Sequence, residues 1–528
     1  MHGAADLIVI GAIHTAQESA PAARAFAVRD GRFVYVGSED GALALRGSET
    51  TLLRLDEGCV LPGLIDSHLH LTNLGLTLTQ VDLTGVASAV EVVARVVAFA
   101  STAASEWIVG RGWDENRWPQ RRFPNNAELS AALPDRPAAL GRVDGHALLA
   151  NQCAMRRAGI DASTPDPPGG RILRDERGTP TGIFIDAAQA LVYAHVPPPS
   201  QAELAAAVRG AIAECNRWGV TAVAEPGCDD TVLAAQMQVL REGRYTIRNH
   251  AMLHDEPELL DAHFRSGPID AAYDGRLSVR AVKIYADGAL GSRGAALLAP
   301  YSDDPANRGL IVTEPQHIER IAERAIRNGF QPCVHAIGDR ANRNVLDAYE
   351  RIAQRSSGIA PTRPRIEHAQ VVAGDDIPRF ARIGVIAAVQ APHALSDLAW
   401  AVERLGSPRI DDAYAWRRLI DAGARIANGT DAPVESASSM RTFYASITGG
   451  GSFGDRCMTR AQALASMTSW AAYANFAEAS IGSIAPGKYA DFVMIDRDWM
   501  SVEPSAVLET KILATYFAGR PVATSKSS

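Results

Sequence analysis

Two histidines two residues apart, His68 and His70, close the apolar run Leu61-Pro-Gly-Leu-Ile-Asp-Ser-His-Leu-His70. Residues i and i+2 of a strand share a face, so both imidazoles point the same way. Two imidazoles at the C-terminal end of a buried strand make half of a metal site. Four more ligand-type residues sit in or at the ends of separate apolar runs: Lys283, His335, His368 and Asp431. Neutral imidazoles and carboxylates hold zinc or a similar divalent ion while leaving a position for water. Two such ions close together clamp a shared hydroxide and polarise a carbonyl, which is hydrolytic chemistry.

Each residue also has an ordinary structural role open to it. His335 fits a satisfied core histidine, and His368 could pair with its neighbour Glu367. Asp431, in Gly-Thr-Asp, suits the N-cap of a following helix. Lys283 could pair with Asp287, and Cys333, on the strand face of His335, reads as a buried barrel residue. What these roles do not explain is the placement of six metal-competent side chains in or at the ends of separate apolar runs.

Those runs define the elements. Leu61–His70, Thr221–Glu225, Ile247–Leu253, Val279–Ile284, Pro332–His335, Arg365–His368, Val385–Gln390 and Arg425–Asp431 alternate with amphipathic stretches. Helices are expected over Glu203–Trp218, Gln316–Asn328 and Asp412–Ala422, each with apolar residues at helical spacing. Alternating β and α units of this kind form a parallel sheet, and eight of them form a (β/α)₈ barrel with its active site at the strands' C-terminal ends. His68 and His70 then end strand one, Lys283 lies in four, and His335, His368 and Asp431 end five, six and eight. Residues 5–60 read as short strands and turns, including a hairpin turned at Asp30-Gly31. The tail from Ser480 returns to the same character. The expected architecture is a small β-sandwich from residues 1–60 and 480–528, and a barrel over 61–479 with an insertion at about 100–200.

Composition narrows the class. Hydrophobic residues make up 47% and charged residues 21%, as in a soluble globular protein, and a net charge of −8 without a basic block argues against nucleic acid as a partner. No apolar run reaches the roughly 18 residues of a membrane helix. The richest stretch, Ala87–Ala100, carries Glu91 and Arg95 and reads as an amphipathic helix. Six scattered cysteines without a C-x-x-C pair suit a reduced compartment, and the expected location is the cytoplasm.

At this point the sequence resembles the amidohydrolase superfamily of metal-dependent hydrolases. It is most similar to the branch that includes N-substituted formamide deformylases. The matching stretches are Pro62–His70, Gly112-Trp-Asp114, Val282–Arg293, Val334-His-Ala-Ile-Gly-Asp339, Arg365-Ile-Glu-His368, Gly429-Thr-Asp-Ala-Pro433 and Gly482–Asp491. The resemblance implies a barrel with a β-sandwich and a metal centre that hydrolyses an amide-type C–N bond of an N-acyl or N-formyl amine. It also implies a homodimer acting on a small-molecule substrate. A pair of cations needs bridging negative charge, which a bare lysine cannot supply. In the resembled family the strand-four lysine is often carboxylated by CO₂ to a bridging carbamate, and the apolar neighbours Val282 and Ile284 would lower the lysine pKa to favour this. The implied assignment is His68, His70 and Asp431 on one Zn²⁺, His335 and His368 on the other, and carbamylated Lys283 between them. Asp431 would also take a proton from the bridging hydroxide and pass it to the leaving nitrogen.

Other positions are candidates for supporting roles. Asp339 is expected to orient a ligand histidine. Trp113, Asp114 and Trp118 on the insertion are candidates to wall the pocket, and His146 to contact the scissile carbonyl or brace the insertion. Ser292 and Arg293 are candidates to bind a carboxylate, and Gln390 and His393 to face the pocket after strand seven. For Trp107 and Trp400 packing is the expected role. Ester or lactone hydrolysis on the same site is an alternative, as is a non-catalytic binding protein. Deamination is disfavoured, because relatives that deaminate place a Glu three residues after the strand-five histidine and this chain has Gly338.

Overall fold

The computed structural model describes residues 3–524 apart from 104, 116–117, 143–146, 168–169, 356–358, 398–399 and 452–455. His146 lies outside the described residues. Two compact units emerge, Met1–Leu71 with Ala211–Ser528, and Thr72–Gly210.

Eight parallel strands of the larger unit form the barrel: β1 (Leu64–Asp66), β2 (Val220–Cys228), β3 (Arg248–His254), β4 (Leu277–Tyr285), β5 (Gln331–Ala336), β6 (Arg365–His368), β7 (Ile386–Val389) and β8 (Arg425–Asn428). Each pairs with the next in parallel register. The ring closes where the Ser67 amide donates to the Asn428 carbonyl at 3.0 Å. Strands buried on both faces read as continuous apolar runs, which is why these segments stand out in the sequence. Cys333 packs inside the barrel with Ala224, Met252 and Ala281, as expected of a core residue.

Three boundaries differ from the pattern-based expectation. The run Leu61–His70 is not one strand. Cys59–Pro62 belongs to another sheet, Gly63 crosses over, and only Leu64–Asp66 enters the barrel. At the crossing a Cβ on Gly63 would lie 2.1 Å from Thr221 Oγ1, so the chain passes where only glycine fits. The last strand stops at Asn428, before Gly429-Thr-Asp431. The helix expected over Asp412–Ala422 is shorter, Trp416–Asp421.

Strands from both ends of the chain share one sheet. Its order is Arg520–Thr524, Ile512–Phe517, Phe492–Ile495, Cys59–Pro62, Leu7–His14, Ala22–Arg29 and Arg32–Gly37, with Thr51–Arg54 also pairing to Leu7–His14. Phe26 and Phe492 are separated by two strands in that order, yet their rings meet at 5.0 Å, so the sheet curls round its own core. The Asp30-Gly31 turn has positive φ at both residues, the backbone a tight two-residue hairpin requires. A buried ion pair ties sheet to barrel. Arg248 of β3 donates to both carboxylate oxygens of Asp491, at 2.7 and 3.2 Å.

The second unit contains a six-stranded sheet and the helix Ala89–Ala100. Trp113 and Trp118 lie in its core, with indole N–H groups donating to the carbonyls of Leu140 (2.7 Å) and Val86 (2.9 Å). Asp114 pairs with Arg142 at 2.9 Å. Trp107 is also a core side chain there. Among the described residues no helix is long and apolar enough to cross a membrane.

Candidate metal centre

Five of the six expected ligands meet at the C-terminal ends of the barrel strands, and Lys283 joins them from within β4. His68 Nε2 and His70 Nε2 lie 3.5 and 3.2 Å from the same oxygen, Asp431 Oδ1. Lys283 Nζ is 3.4 Å from His68 Nε2. The rings of His335 and His368 approach to 4.4 Å, and those of His68 and His368 to 5.1 Å. His68, His368 and Asp431 present donor atoms that all lie within 4.8 Å of one another. The structure thus brings His368 close both to His335, its expected partner, and to His68 and Asp431.

Backbone geometry explains how two of these side chains reach the centre. His368 and Asp431 have left-handed φ values of 74° and 59°. Along β6, alternation gives Arg365 and Glu367 one face and His368 the other. The turn at His368 re-aims the imidazole. Non-glycine residues held in this region cost about 1–3 kcal/mol, strain that functional sites commonly store. Asp431 is not a helix N-cap, since the next helix starts after Ser438.

The ends of β1 and β8 are locked together beneath the ligands. Asp66 is buried and accepts from the Thr430 hydroxyl (2.6 Å), the Thr430 amide (3.0 Å) and the His68 amide (3.1 Å). Burial outweighs these bonds and raises its carboxyl to about 7. The clamp works only because residue 429 has no side chain: a Cβ there would lie 2.5 Å from the His68 nitrogen and 2.6 Å from Asp66 Oδ1. Gly429→Ala is therefore expected to cost about 1–3 kcal/mol of stability and to reduce bound metal, checked by denaturant unfolding beside metal analysis.

A buried chain of charges orients the first ligand. Arg365 donates to Glu367 at 2.7 and 3.0 Å and to the Ser67 carbonyl at 2.6 Å. Glu367 Oε2 in turn holds His68 Nδ1 at 2.5 Å. Burial alone would raise the Glu367 carboxyl, but the Arg365 guanidinium and the His68 hydrogen bond bring it to about 2. A carboxylate on Nδ1 leaves Nε2 for a metal, the arrangement found behind many ligating histidines. Glu367 is thus the partner of His68 and not of His368.

The site's electrostatics favour neutral imidazoles. Burial, then the nearby lysine, lowers His68 to about 4 and His335 to about 3. Burial and then His335 push His368 well below its usual value. Burial also lowers Lys283, toward the free amine. Asp431 is opposed by burial, yet the His70 hydrogen bond and the neighbouring histidines hold it well below the usual carboxylate range. His335 Nε2, His368 Nδ1 and His393 Nε2 are buried with no hydrogen-bond partner. Unpartnered buried nitrogens are costly in a folded protein, and a divalent ion satisfies them, so the donor set fits a metal.

Sequence reasoning named His393 only as facing the pocket. Its Nε2 stands 3.7 Å from Asp431 Oδ2. It rides on the short helix Ala391–Asp397, which is pinned where Asp397 accepts from Gln370 (3.0 Å) and Tyr414. One helper assignment and one structural alternative change. Asp339 accepts the amides of Leu298 (2.8 Å) and Arg340 (2.9 Å) and so holds a loop, not a histidine. Asp287 does not pair with Lys283. It gathers the amides of Ala296, Ile337 and Gly338 at 2.8–2.9 Å, beside His335 Nε2 at 3.5 Å.

The remaining candidates have hydrogen-bond or ion-pair partners of their own. The Gln390 amide donates to the Ala388 carbonyl at 2.9 Å. Ser292 is exposed and turns its hydroxyl to the Ala289 carbonyl, while Arg293 pairs with Asp303 at 2.9 Å. Trp400 packs against the loop at Gly291. A separate cavity of about 260 Å³, lined by residues such as Arg248, His250, Arg280 and Phe476, opens at the opposite ends of the strands.

Known proteins resemble this chain in sequence and fold. Residues 55–523 match the amidohydrolase family. The chain is 32% identical to the putative amidohydrolase YtcJ of Bacillus subtilis, over 97% of this chain and 98% of that protein. It is 26% identical to the N-substituted formamide deformylase of Arthrobacter pascens, with 97% of each covered. A solved structure of an uncharacterized metal-dependent hydrolase from Pyrococcus horikoshii OT3 aligns with a TM-score of 0.80 at 29% identity, covering 94% of this chain and 99% of that one. The chain belongs to the amidohydrolase family and is a metal-dependent hydrolase built on a (β/α)₈ barrel.

Proposed function

We propose that this protein hydrolyses an amide-type C–N bond in a small N-acyl or N-formyl amine, using zinc held at the barrel rim. The convergence of His68, His368 and Asp431 above the buried Arg365–Glu367 pair is the observation that carries the reading. The formamide substrate class in the name of the Arthrobacter pascens relative supports the acyl class. His68, His70 and Asp431 would hold one ion. His335 and His368 would hold a second, with a CO₂-derived carbamate on Lys283 between the two. When bound, such ions supply a nucleophile at neutral pH and polarise the scissile carbonyl.

The chain's own residues do the rest. Asp431, ionised between His70 and His393, accepts the proton of the attacking water at a carboxylate oxygen and returns it to the leaving nitrogen. Glu367 fixes the His68 tautomer. The lowered pKa of Lys283 supplies the free amine that CO₂ needs.

The test is a hydrolysis screen of purified protein on N-formyl and N-acyl amines, N-acyl amino acids, cyclic amides and simple esters, with and without chelator. Chelator-sensitive release of amine supports the proposal. Release from esters alone would move the activity to an esterase or lactonase. In the same assay Lys283→Ala is expected to lose hydrolysis together with one metal equivalent. A fully active variant would remove the lysine from the mechanism.

A further inference from the structure

A second convergence of ligand-type side chains lies in the sheet shared by the two chain ends. Cys59 opens the strand Cys59–Pro62, which runs between Leu7–His14 on one side and Phe492–Ile495 on the other. His14 ends the first of these neighbours, and Asp498 follows the second by three residues. His14 Nε2 stands 2.8 Å from Asp498 Oδ1, and Cys59 Sγ lies within 4.8 Å of a donor atom of each residue.

We propose that His14, Cys59 and Asp498 form a second metal site, separate from the barrel rim, that binds a zinc-type divalent ion and fastens the two ends of the chain together.

The donor set is one nitrogen, one sulfur and one carboxylate oxygen. Zinc and cobalt take such mixtures, whereas magnesium and calcium require oxygens. Tetrahedral zinc with nitrogen and oxygen ligands near 2.1 Å holds those donors roughly 3.4 Å apart, so His14 and Asp498 need only part by a fraction of an ångström. The ion takes the place of the hydrogen bond between Nε2 and Oδ1, the neutral imidazole then carrying its proton on Nδ1, and the Cys59 thiol gives its proton to solvent as it binds. Asp498 is already oriented, because Oδ1 also accepts the Met500 amide at 2.9 Å and a carboxylate has lone pairs for both partners. A groove of about 390 Å³, lined by His14, Gln17, Pro21, Trp470 and Met500 among others, leads from the surface to the imidazole and offers an entry path. His14 and Asp498 are 484 residues apart in sequence, so an ion bound by both stabilises the folded chain over the unfolded one.

Cobalt distinguishes the two sites. The barrel-rim ligands offer nitrogen and oxygen only, so a thiolate-to-cobalt charge-transfer band in the near ultraviolet reports the site that contains Cys59. Full-length protein stripped by chelator and titrated with Co²⁺ is expected to develop this band and to bind one equivalent more than Cys59→Ser, which lacks it. Asp431→Asn keeps the band. Because Cys59 is fully buried, His14→Gln is the second variant, at a partly exposed position, and is expected to weaken cobalt binding at the thiolate site. Absence of the band from the unaltered protein, its survival in Cys59→Ser, or an unchanged titration in His14→Gln would overturn the proposal.

Discussion

Asp431→Asn is expected to lower kcat by about 10²–10⁴-fold, the usual effect of removing a positioned general acid–base. Asparagine is the informative replacement. Residue 431 has a left-handed φ of 59°, a conformation that Asn adopts more readily than Ala, so the backbone under His68 and His70 is kept. The amide oxygen of Asn still reaches toward the imidazoles, but it cannot take up a proton at neutral pH. Measuring metal content beside kcat separates two losses. Retained metal with collapsed turnover assigns proton transfer to Asp431. Lost metal with collapsed turnover makes it chiefly a ligand. Full turnover would place the base elsewhere, and His393, 3.7 Å away, would be the next residue to change.

Arg365→Met is expected to destabilise the metal-free protein by about 3–5 kcal/mol, the cost of leaving one partner of a buried ion pair uncompensated. Both partners are fully buried, and Arg365 also supports the Ser67 carbonyl at the end of β1. The double variant Arg365→Met/Glu367→Leu is expected to recover much of that stability, because two apolar side chains no longer carry a desolvated charge. Metal affinity is expected to stay reduced by about 10–100-fold in the double variant, since nothing then holds His68 Nδ1. Denaturant unfolding and competitive metal titration on the two variants check both halves. Equal losses of stability in the single and double variants would show that packing, not charge, dominates at this position.

Much of the site was legible because barrel strands announce themselves. Short apolar runs ending in His, His and Asp mark both the strand and the end at which chemistry collects. The supporting residues were less legible. Glu367 was visible in Arg-Ile-Glu-His368, yet strand alternation could not assign it to His68, nearly 300 residues away. The usable signal was the pair itself: Arg365 and Glu367 are opposite charges two apart, hence on one face, in a short strand of a barrel whose strands are buried. The left-handed turns at His368 and Asp431 override period-two alternation, so facing arguments fail at those two residues. Leu61–His70 read as one strand because nothing in its apolar pattern distinguishes two sheets, and only the tight crossing at Gly63 separates them. Trp113 and Trp118 attracted a functional reading by residue type, while the carbonyls that take their indole N–H groups account for them as core.

The sheet of chain ends imposes an order on synthesis. Cys59–Pro62 is made early, but its antiparallel partner Phe492–Ile495 follows about 430 residues later. At translation rates of about 5–20 residues per second, that strand's backbone edge waits roughly 20–90 s for its neighbour. An unpaired edge is a template for pairing with other chains. The nascent protein therefore carries a sticky, half-built sheet through that interval, and shielding the edge until Phe492–Ile495 emerges is expected to raise its yield in a cell.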